Sequence, residues 1–337
     1  MSLSLPNNAR QFATLLDLVK DTNKFLYVDV DKGKYWKLCI EVVENKLRSW
    51  QPFGIVTAAN AAHLRGTVAQ WFTFDDTSRQ IRLIQAHSAG SNAFHKAFDD
   101  IRSHLNQTGP WAGKLRKYGD EKWPLIGAPL KAGMLCDVAP IFGIVTTGAH
   151  LNIFQGSGKD TKIYVARRSA NKSAFGCYLD QCVAGGFDFQ QDKTALDCLL
   201  REAKEELKKG LPKNLDKEIK RCKSIKYFDI RDKRWGAEYI GIPEAGIKVP
   251  FDIELKEKIA ITGNKQDIVG IKSMSIDEVM NALLAGQFKP NCALIMIDFL
   301  IRHNLIADQK NRQDLAQIQN LLSLKTSLLG LRVEEIK

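Results

Sequence analysis

The stretch LLREAKEELKKG, residues 199–210, places Arg201 beside three carboxylates, Glu202, Glu205 and Glu206. Spacings of three and four bring side chains together on a helix. At about 100° per residue, Leu196, Leu199, Leu200, Ala203 and Leu207 share one apolar stripe, and the three glutamates lie beside it. Two carboxylates about 4 Å apart repel by about 4 kcal/mol at an effective dielectric near 20. On a solvated face Lys204, Lys208 and Lys209 would offset that repulsion. A divalent cation offsets it better, and hard oxygen ligands suit Mg2+ or Mn2+. Upstream stands the pair Gly185-Gly186, where backbone can approach a bound group with no side chain in the way.

These residues need elements to position them. Periodicity predicts a helix over 193–209. TKIYVARRS, residues 161–169, predicts a strand ending in Arg167 and Arg168, and YLDQCVAGG carries a second apolar run into the glycine pair. Strand, glycines, loop and helix thus follow in that order. KYFDIRD (226–232), KVPFDIEL (248–255) and DIVGIKSM (267–274) also predict strands. SIDEVMNALLAG predicts a helix capped by Ser275, CALIMIDFLIRHN a buried helix, and the last twenty-five residues a more polar one. Near the start, residues 12–26 have helical spacing, and QWFTFDDTSRQIRLI (70–84) reads as two strands about a polar turn. The Gly-, Pro- and charge-rich segment 106–129 is the expected boundary. FGIVT occurs at Phe53–Thr57 and again at Phe142–Thr146, but the flanks differ and it is not read as a repeat. The expected organisation is an α+β accessory domain over 1–118, a main domain over 119–308 and a helical tail over 309–337.

With 337 residues, 45% hydrophobic and 26% charged, the chain has the composition of a soluble globular protein with room for two domains. It contains no apolar run of about eighteen residues, so no membrane-spanning helix is expected. MSLSLPNNARQFATLL lacks the layout of a secretory signal. The seven cysteines are scattered and form no C-x-x-C pair, which argues against a disulfide framework or a zinc site and points to reduced thiols in a cytoplasm. A net charge of +11 favours anionic partners, phosphorylated metabolites first. The basic run Lys217–Lys226 reads as a solvated face before it reads as a nucleic-acid surface. Arg167, Arg168 and Lys172 follow a strand towards the glycine loop and can clamp phosphate through charge-assisted hydrogen bonds.

Gly186, Arg201, Glu202, Ala203, Glu205 and Glu206 together resemble the Nudix box, in which a glycine, five residues, a glutamate and seven residues precede R-E-U-x-E-E-x-G-U, U being aliphatic. This chain departs from it in three ways. The step from Gly186 to Arg201 is one residue longer, the first glutamate has no equivalent (Asp192 is nearest), and Lys208 replaces the last glycine, with Gly210 two places late. FGIVTTGAHLN, KIYVARRSANKS, YLDQCVAGG and FKPNCALIMIDFLIRHN extend the likeness over most of 130–305, to the thiamine-pyrophosphokinase-related Nudix subgroup. The resemblance implies an α/β/α sandwich with a mixed sheet, preceded by a smaller α+β domain. It implies a pyrophosphohydrolase in which Glu202, Glu205 and Glu206 hold Mg2+ or Mn2+, Arg201 orients them, and Gly185 and Gly186 support the metal–phosphate cluster. The implied substrate is thiamine diphosphate, preferably its oxidised or damaged analogues, cleaved to monophosphates. His150 and Asn152 of T-G-A-H-L-N recur in the family pattern and are candidates for substrate contact. Where relatives carry a G-E-V-E-like strand this chain reads Q-D-I-V, so only Asp267 can serve as a base or extra ligand there. A cationic ring would need an aromatic face, for which Trp235 is one candidate. Two alternatives stay open: a nucleotide-type diphosphatase acting on ADP-ribose, NADH or capped RNA, and a catalytically silent Nudix fold binding an anionic ligand or nucleic acid.

Overall fold

A computed structural model describes residues 9–26, 34–115, 121–172, 174–209, 215–236, 239–257, 260–264 and 266–323. Helix α1 (Leu15–Asp21) comes first. The predicted helix over 12–26 breaks after it because Asn23 turns inward: its Nδ2 donates to the Val19 carbonyl and its Oδ1 accepts from the Phe228 amide. One 3-10 turn, Lys24–Leu26, follows.

Strands β1 (Tyr35–Glu44) and β2 (Leu47–Thr57) form a hairpin, and β3 (Phe72–Asp75) and β4 (Gln80–Leu83) a second, as the polar turn between them predicts. They join in the order β2-β1-β4-β3, with β1 parallel to β4. Helices α2 (Ala58–Thr67) and α3 (Ser91–Gln107) accompany this sheet. Phe94, Ala97, Phe98, Ile101 and Leu105 repeat every three or four residues along α3, and all are buried. A short antiparallel pair, β5 (Lys122–Pro124) and β6 (Gly133–Leu135), leads to the second sheet.

That sheet runs β12 (Lys220–Arg221), β14 (Pro243–Glu254), β7 (Thr146–Gln155), β8 (Lys162–Arg168), β16 (Ile268–Ser275), with β9 (Leu179–Gln181), β10 (Ala184–Gly186) and β13 (Ile225–Ile230) paired alongside. Its mixed character comes from β7 and β14, which are parallel among antiparallel neighbours. Helix α4 (Ala195–Glu206) covers one face, over Ala149, Leu151, Ile153, Val249 and Phe251. The other face carries α6 (Ile276–Leu284), α7 (Pro290–Arg302) and α9 (Leu315–Leu322), together with α1. Between these lie the one-turn helices α5 (Leu215–Glu218) and α8 (Gln309–Arg312). The expected α/β/α layering is what forms, and Ser275 caps α6 as its position predicts. Among the described residues no helix is long and apolar enough to cross a membrane.

Two boundaries differ from the sequence expectation. The helix predicted over 193–209 ends at Glu206, because Leu207 turns into the core beside Ile261 and Ile268 and starts β11 (Leu207–Lys209), which pairs with β15 (Thr262–Gly263). Gly210 and residues 324–337, most of the predicted last helix, lie outside the described residues. The hydrophobic cores also divide away from 118/119: the N-terminal cluster takes in Leu125, Met134, Leu135, Phe142 and Ile144, while α1 packs into the C-terminal one.

The two FGIVT segments meet. Gly54 bridges Ile144 in antiparallel fashion, and the Ile55 amide donates to the Gly143 carbonyl at 3.2 Å. A Cβ on Gly54 would lie 2.3 Å from the Phe142 oxygen, and one on Gly143, where φ is +57°, 1.9 Å from the Ile55 oxygen. Only bare backbone fits at both positions.

Candidate functional site

Helix α4 starts at a capping box. Thr194 Oγ1 accepts from the Asp197 amide at 3.2 Å, and Asp197 Oδ2 accepts from the Thr194 amide at 2.9 Å. With the start fixed, Cys198, Leu199 and Ala203 bury against the sheet and Arg201, Glu202, Glu205 and Glu206 line the rim. Strand β10 brings the glycine pair to the same place, Gly185 opposite Ala149 and Gly186 opposite Gly148. A Cβ on Gly185 would sit 1.8 Å from the Glu202 carboxyl carbon, and one on Gly148 would sit 2.4 Å from the Gly185 oxygen. Backbone therefore requires glycine at 148, and a side chain at 185 would displace the Glu202 carboxylate, which rests on naked backbone.

Arg201 ties loop and helix together. Its Nη2 donates to the Gly186 carbonyl and to Asp192 Oδ2, both at 2.8 Å, and its Nε reaches Asp192 Oδ1 at 3.0 Å. Its Nη1 donates to Glu202 at 2.9 Å and to Glu205 at 3.5 Å. Asp192 Oδ2 also accepts the Asp188 amide at 2.8 Å. Expected to lack an equivalent of the box's first glutamate, the chain uses Asp192, which stands five intervening residues after Gly186 (187 to 191). The brace survives with one methylene fewer. Counting from the glycine, and not back from Arg201, would have found it.

Counter-charge is short around the glutamates. Burial pushes the Glu202 carboxyl up to about 7, against the adjacent Arg201, and neighbouring Glu205 and Glu121 push the same way. Burial likewise raises Glu206 to about 8, helped by Asp180 and Glu202. Its Oε2 accepts the Ala184 amide at 3.2 Å. Glu205 stands out in solvent. A cation on this rim would relieve repulsion that the protein itself leaves in place, and the all-oxygen donors fit Mg2+ or Mn2+.

The sequence did not disclose Glu121. It lies just before β5, and its Oε1 would be 3.9 Å from a Cβ on Gly186. Burial raises its pKa, Asp188 adds to this, and a hydrogen bond from Trp123 opposes it. No local pattern marks Glu121, because tertiary packing alone brings it to the loop.

The expected substrate-contact residues divide. Arg168 is bound inward, Nη1 to Asp180 at 2.9 Å and Nε to the Phe175 carbonyl at 3.1 Å. Arg167 donates to the Cys177 carbonyl at 2.6 Å, and Lys172 pairs with Asp267. That ion pair stands beyond the C-terminal end of α4, where the Asn264 amide donates to the Glu206 carbonyl at 2.7 Å. His150 and Asn152 are buried at 2% and 1% exposure. By strand alternation they face away from α4. His150 Nδ1 meets Gln181 Oε1 at 3.0 Å, and burial lowers its pKa to about 4. With Asp180 and Cys292, His150 forms the tight grouping of potential ligand atoms among the described residues. Cys292 Sγ donates to Asp180 at 2.7 Å and Arg168 also occupies Asp180, so that carboxylate is already satisfied. Asn152 donates to Asp252 at 2.9 Å. Trp235 packs edge-on against Phe175 with the Arg231 guanidinium 4.4 Å from its ring centroid, so a cation already occupies that face.

No family model matches the chain. An uncharacterized protein of Saccharomyces cerevisiae is 32% identical over 51% of this chain and 51% of its own length. Nudix hydrolase 20, chloroplastic, of Arabidopsis thaliana is 25% identical over 56% of this chain and 47% of its own. Nudix hydrolase 24, chloroplastic, of the same plant is 26% identical over 54% and 47% respectively. The chain thus spans about half the length of the relatives it matches.

Proposed function

We propose that the protein is a metal-dependent Nudix-type pyrophosphohydrolase that cleaves a small-molecule diphosphate to a monophosphate. The observation that carries this reading is the rim of α4: two carboxylates pushed up to about 7 and about 8 beside a glycine loop whose backbone a side chain would close off. Similarity to two Nudix-named plant proteins supports it.

Glu202, Glu205 and Glu206 would hold Mg2+ or Mn2+, which when bound neutralises charge on the diphosphate and sharpens water as a nucleophile. The protein's own groups do the rest. Arg201 fixes Glu202 and the Gly186 carbonyl through the Asp192 brace. Glu121, across Gly186, is placed to take the proton from an attacking water, a role that Asp267 in its ion pair with Lys172 is less free to fill. Water adds to phosphorus, the bridging P–O bond breaks, and the proton lost by water reaches a carboxylate. Arg167 and Lys172, both half-buried, remain the candidates for meeting phosphate. Arg168, His150 and Asn152 act from inside as supports.

Motif likeness to the thiamine-pyrophosphokinase-related subgroup supports thiamine diphosphate and its oxidised or damaged analogues as substrates. Free cysteines support a reducing, cytoplasmic setting. The test is a phosphate-release panel with Mg2+ or Mn2+ over thiamine diphosphate analogues, ADP-ribose, NADH, nucleotides and capped RNA. Higher kcat/KM for the thiamine type is expected. A preference of about tenfold or more for ADP-ribose or capped RNA would replace the substrate and keep the reaction class. Ligand binding with no turnover would leave a silent binding module.

A further inference from the structure

Residues 125–132 join β5 to β6, and Trp123 at the end of β5 has its Nε1 3.8 Å from where a Cβ on Gly186 would lie. The N-terminal domain holds this strap. Gln51 on β2 donates to the Gly127 carbonyl, and His95 on α3 accepts the Gly133 amide at 3.1 Å. Between this strap and the second sheet lies a cavity of about 630 Å³. Its walls are Leu125 and Ile126 from the strap, Phe187 and Phe189 just after the glycine pair, and Thr147 on β7. The Phe189 ring is braced edge-on by His95 at 5.7 Å. Asp192, the partner of Arg201, forms its border with the carboxylate rim.

Two features distinguish this cavity from a packing gap. Its volume lies within the about 300–1,000 Å³ of small-molecule sites, and its apolar walls are joined by Lys131, Lys193 and Asp192, a mixture such sites use to hold and orient a ligand. Its aromatic walls, Phe187 and Phe189, follow the glycine pair directly, so a ring stacked on them lies beside the loop against which the Glu202 carboxylate rests. Its place beside Asp192 puts a group bound there one step from any diphosphate at the rim.

The geometry points to this cavity as the subsite for the organic group of the diphosphate: a planar ring held between the strap and Phe187 and Phe189. This rests on the hydrolase reading for its diphosphate, and it gives the N-terminal domain a role in specificity, since that domain sets one wall.

The test compares a ring-bearing diphosphate (thiamine diphosphate or ADP) with methyl diphosphate, which has no ring, in the full-length protein. In Phe189→Ala, the ratio of kcat/KM for ring-bearing over ring-less substrate is expected to fall by about tenfold or more, the scale of one lost pocket contact. Ala128→Phe, which fills the cavity from the strap, should lower the same ratio. Equal losses for both substrates, or an unchanged ratio in variants whose melting transition is retained, overturn the subsite. If the wild-type protein turns over no diphosphate, the hydrolase reading fails, and binding decides the subsite separately. Thiamine monophosphate or AMP should then bind more tightly than inorganic phosphate, and Phe189→Ala should weaken only the ring-bearing probe. Ring-bearing probes that bind no better than phosphate to the wild-type protein would also overturn it.

Discussion

Carboxylates packed on the two faces of the second sheet, Asp252 on one and Glu202 and Glu206 on the other, are treated in opposite ways. Asp252, on the face covered by α7, accepts from Asn152 at 2.9 Å, from His303 at 2.9 Å and from two nitrogens of Arg302. Burial alone would raise its pKa, but the bonds from His303 and Arg302 outweigh it and hold the carboxyl well below the usual range. On the α4 side Glu202 has one guanidinium, Arg201, already divided among Asp192, Glu205 and a carbonyl, Glu206 has only that of Arg168, already bound to Asp180, and burial wins at both. The residue type and degree of enclosure are similar. What differs is the supply of positive charge, and the undersupplied group is the one a cation can complete.

The largest effect should come from the completed group. Arg302→Met leaves Asp252 buried with His303 and Asn152 alone, and should cost about 3 kcal/mol in denaturant unfolding, the low end for a broken buried pair. A loss under about 1 kcal/mol would show that Asp252 is not held as described.

On the other side, Glu205→Gln and Glu206→Gln should each lower turnover by about a hundredfold or more, about 2.7 kcal/mol of barrier, while the protein still folds. Because Glu206→Gln removes a carboxylate that burial disfavours, metal-free stability should stay level or rise. Wild-type rates would sink the metal assignment, and a collapsed melting transition would make the residues structural.

Mg2+ or Mn2+ should raise the melting temperature, by the equivalent of up to about 2.7 kcal/mol at a hundred times its dissociation constant. Glu206→Gln should abolish most of that rise and Arg302→Met should keep it. Unchanged melting at millimolar metal would remove the contrast between the two groups.

The smallest effect is in pH. Glu202 and Glu206 have folded pKa values above their unfolded ones, so the folded state binds more protons and metal-free stability falls as pH rises from about 5 to 8. The change should be on the order of 1–2 kcal/mol, and saturating metal should flatten it. Asp252 has the opposite sign: its contribution is present above about pH 4 and is lost on acidification through its lowered pKa. Denaturation at pH 5 and pH 8, with and without metal, measures both. Metal-free stability that rises between those values would contradict the state assigned to the glutamates.

Periodicity made α4, α6 and α7 legible, because each is amphipathic or fully buried over at least nine residues. Arg201 and the glutamates were legible as a cluster for the same reason. Asp192 was partly legible, since its spacing from Gly186 is in the chain but a short aspartate does not announce a brace. Glu121 was not legible, being eighty residues upstream of Arg201 and joined to the loop through β5 alone. His150 and Asn152 were misplaced relative to the rim because β7 is buried on both faces, and an apolar run with polar members does not say which face each takes. Cluster membership has a related cause: composition marks where a chain is polar, whereas the N-terminal core takes in residues 125–144 by packing.

The crossing of the two FGIVT segments fixes more than a seam. Gly54 belongs to the N-terminal sheet and Ile144 sits two residues before β7, so one backbone bridge passes between sheets at a point where Gly54 and Gly143 leave no room for a side chain. Joined there and again at Gln51 and His95, the two halves share a fulcrum with little torsional play. A cut at 118/119 would leave these contacts on each side without their partners. Grafting such a half onto another chain would require carrying the crossing along, glycines included.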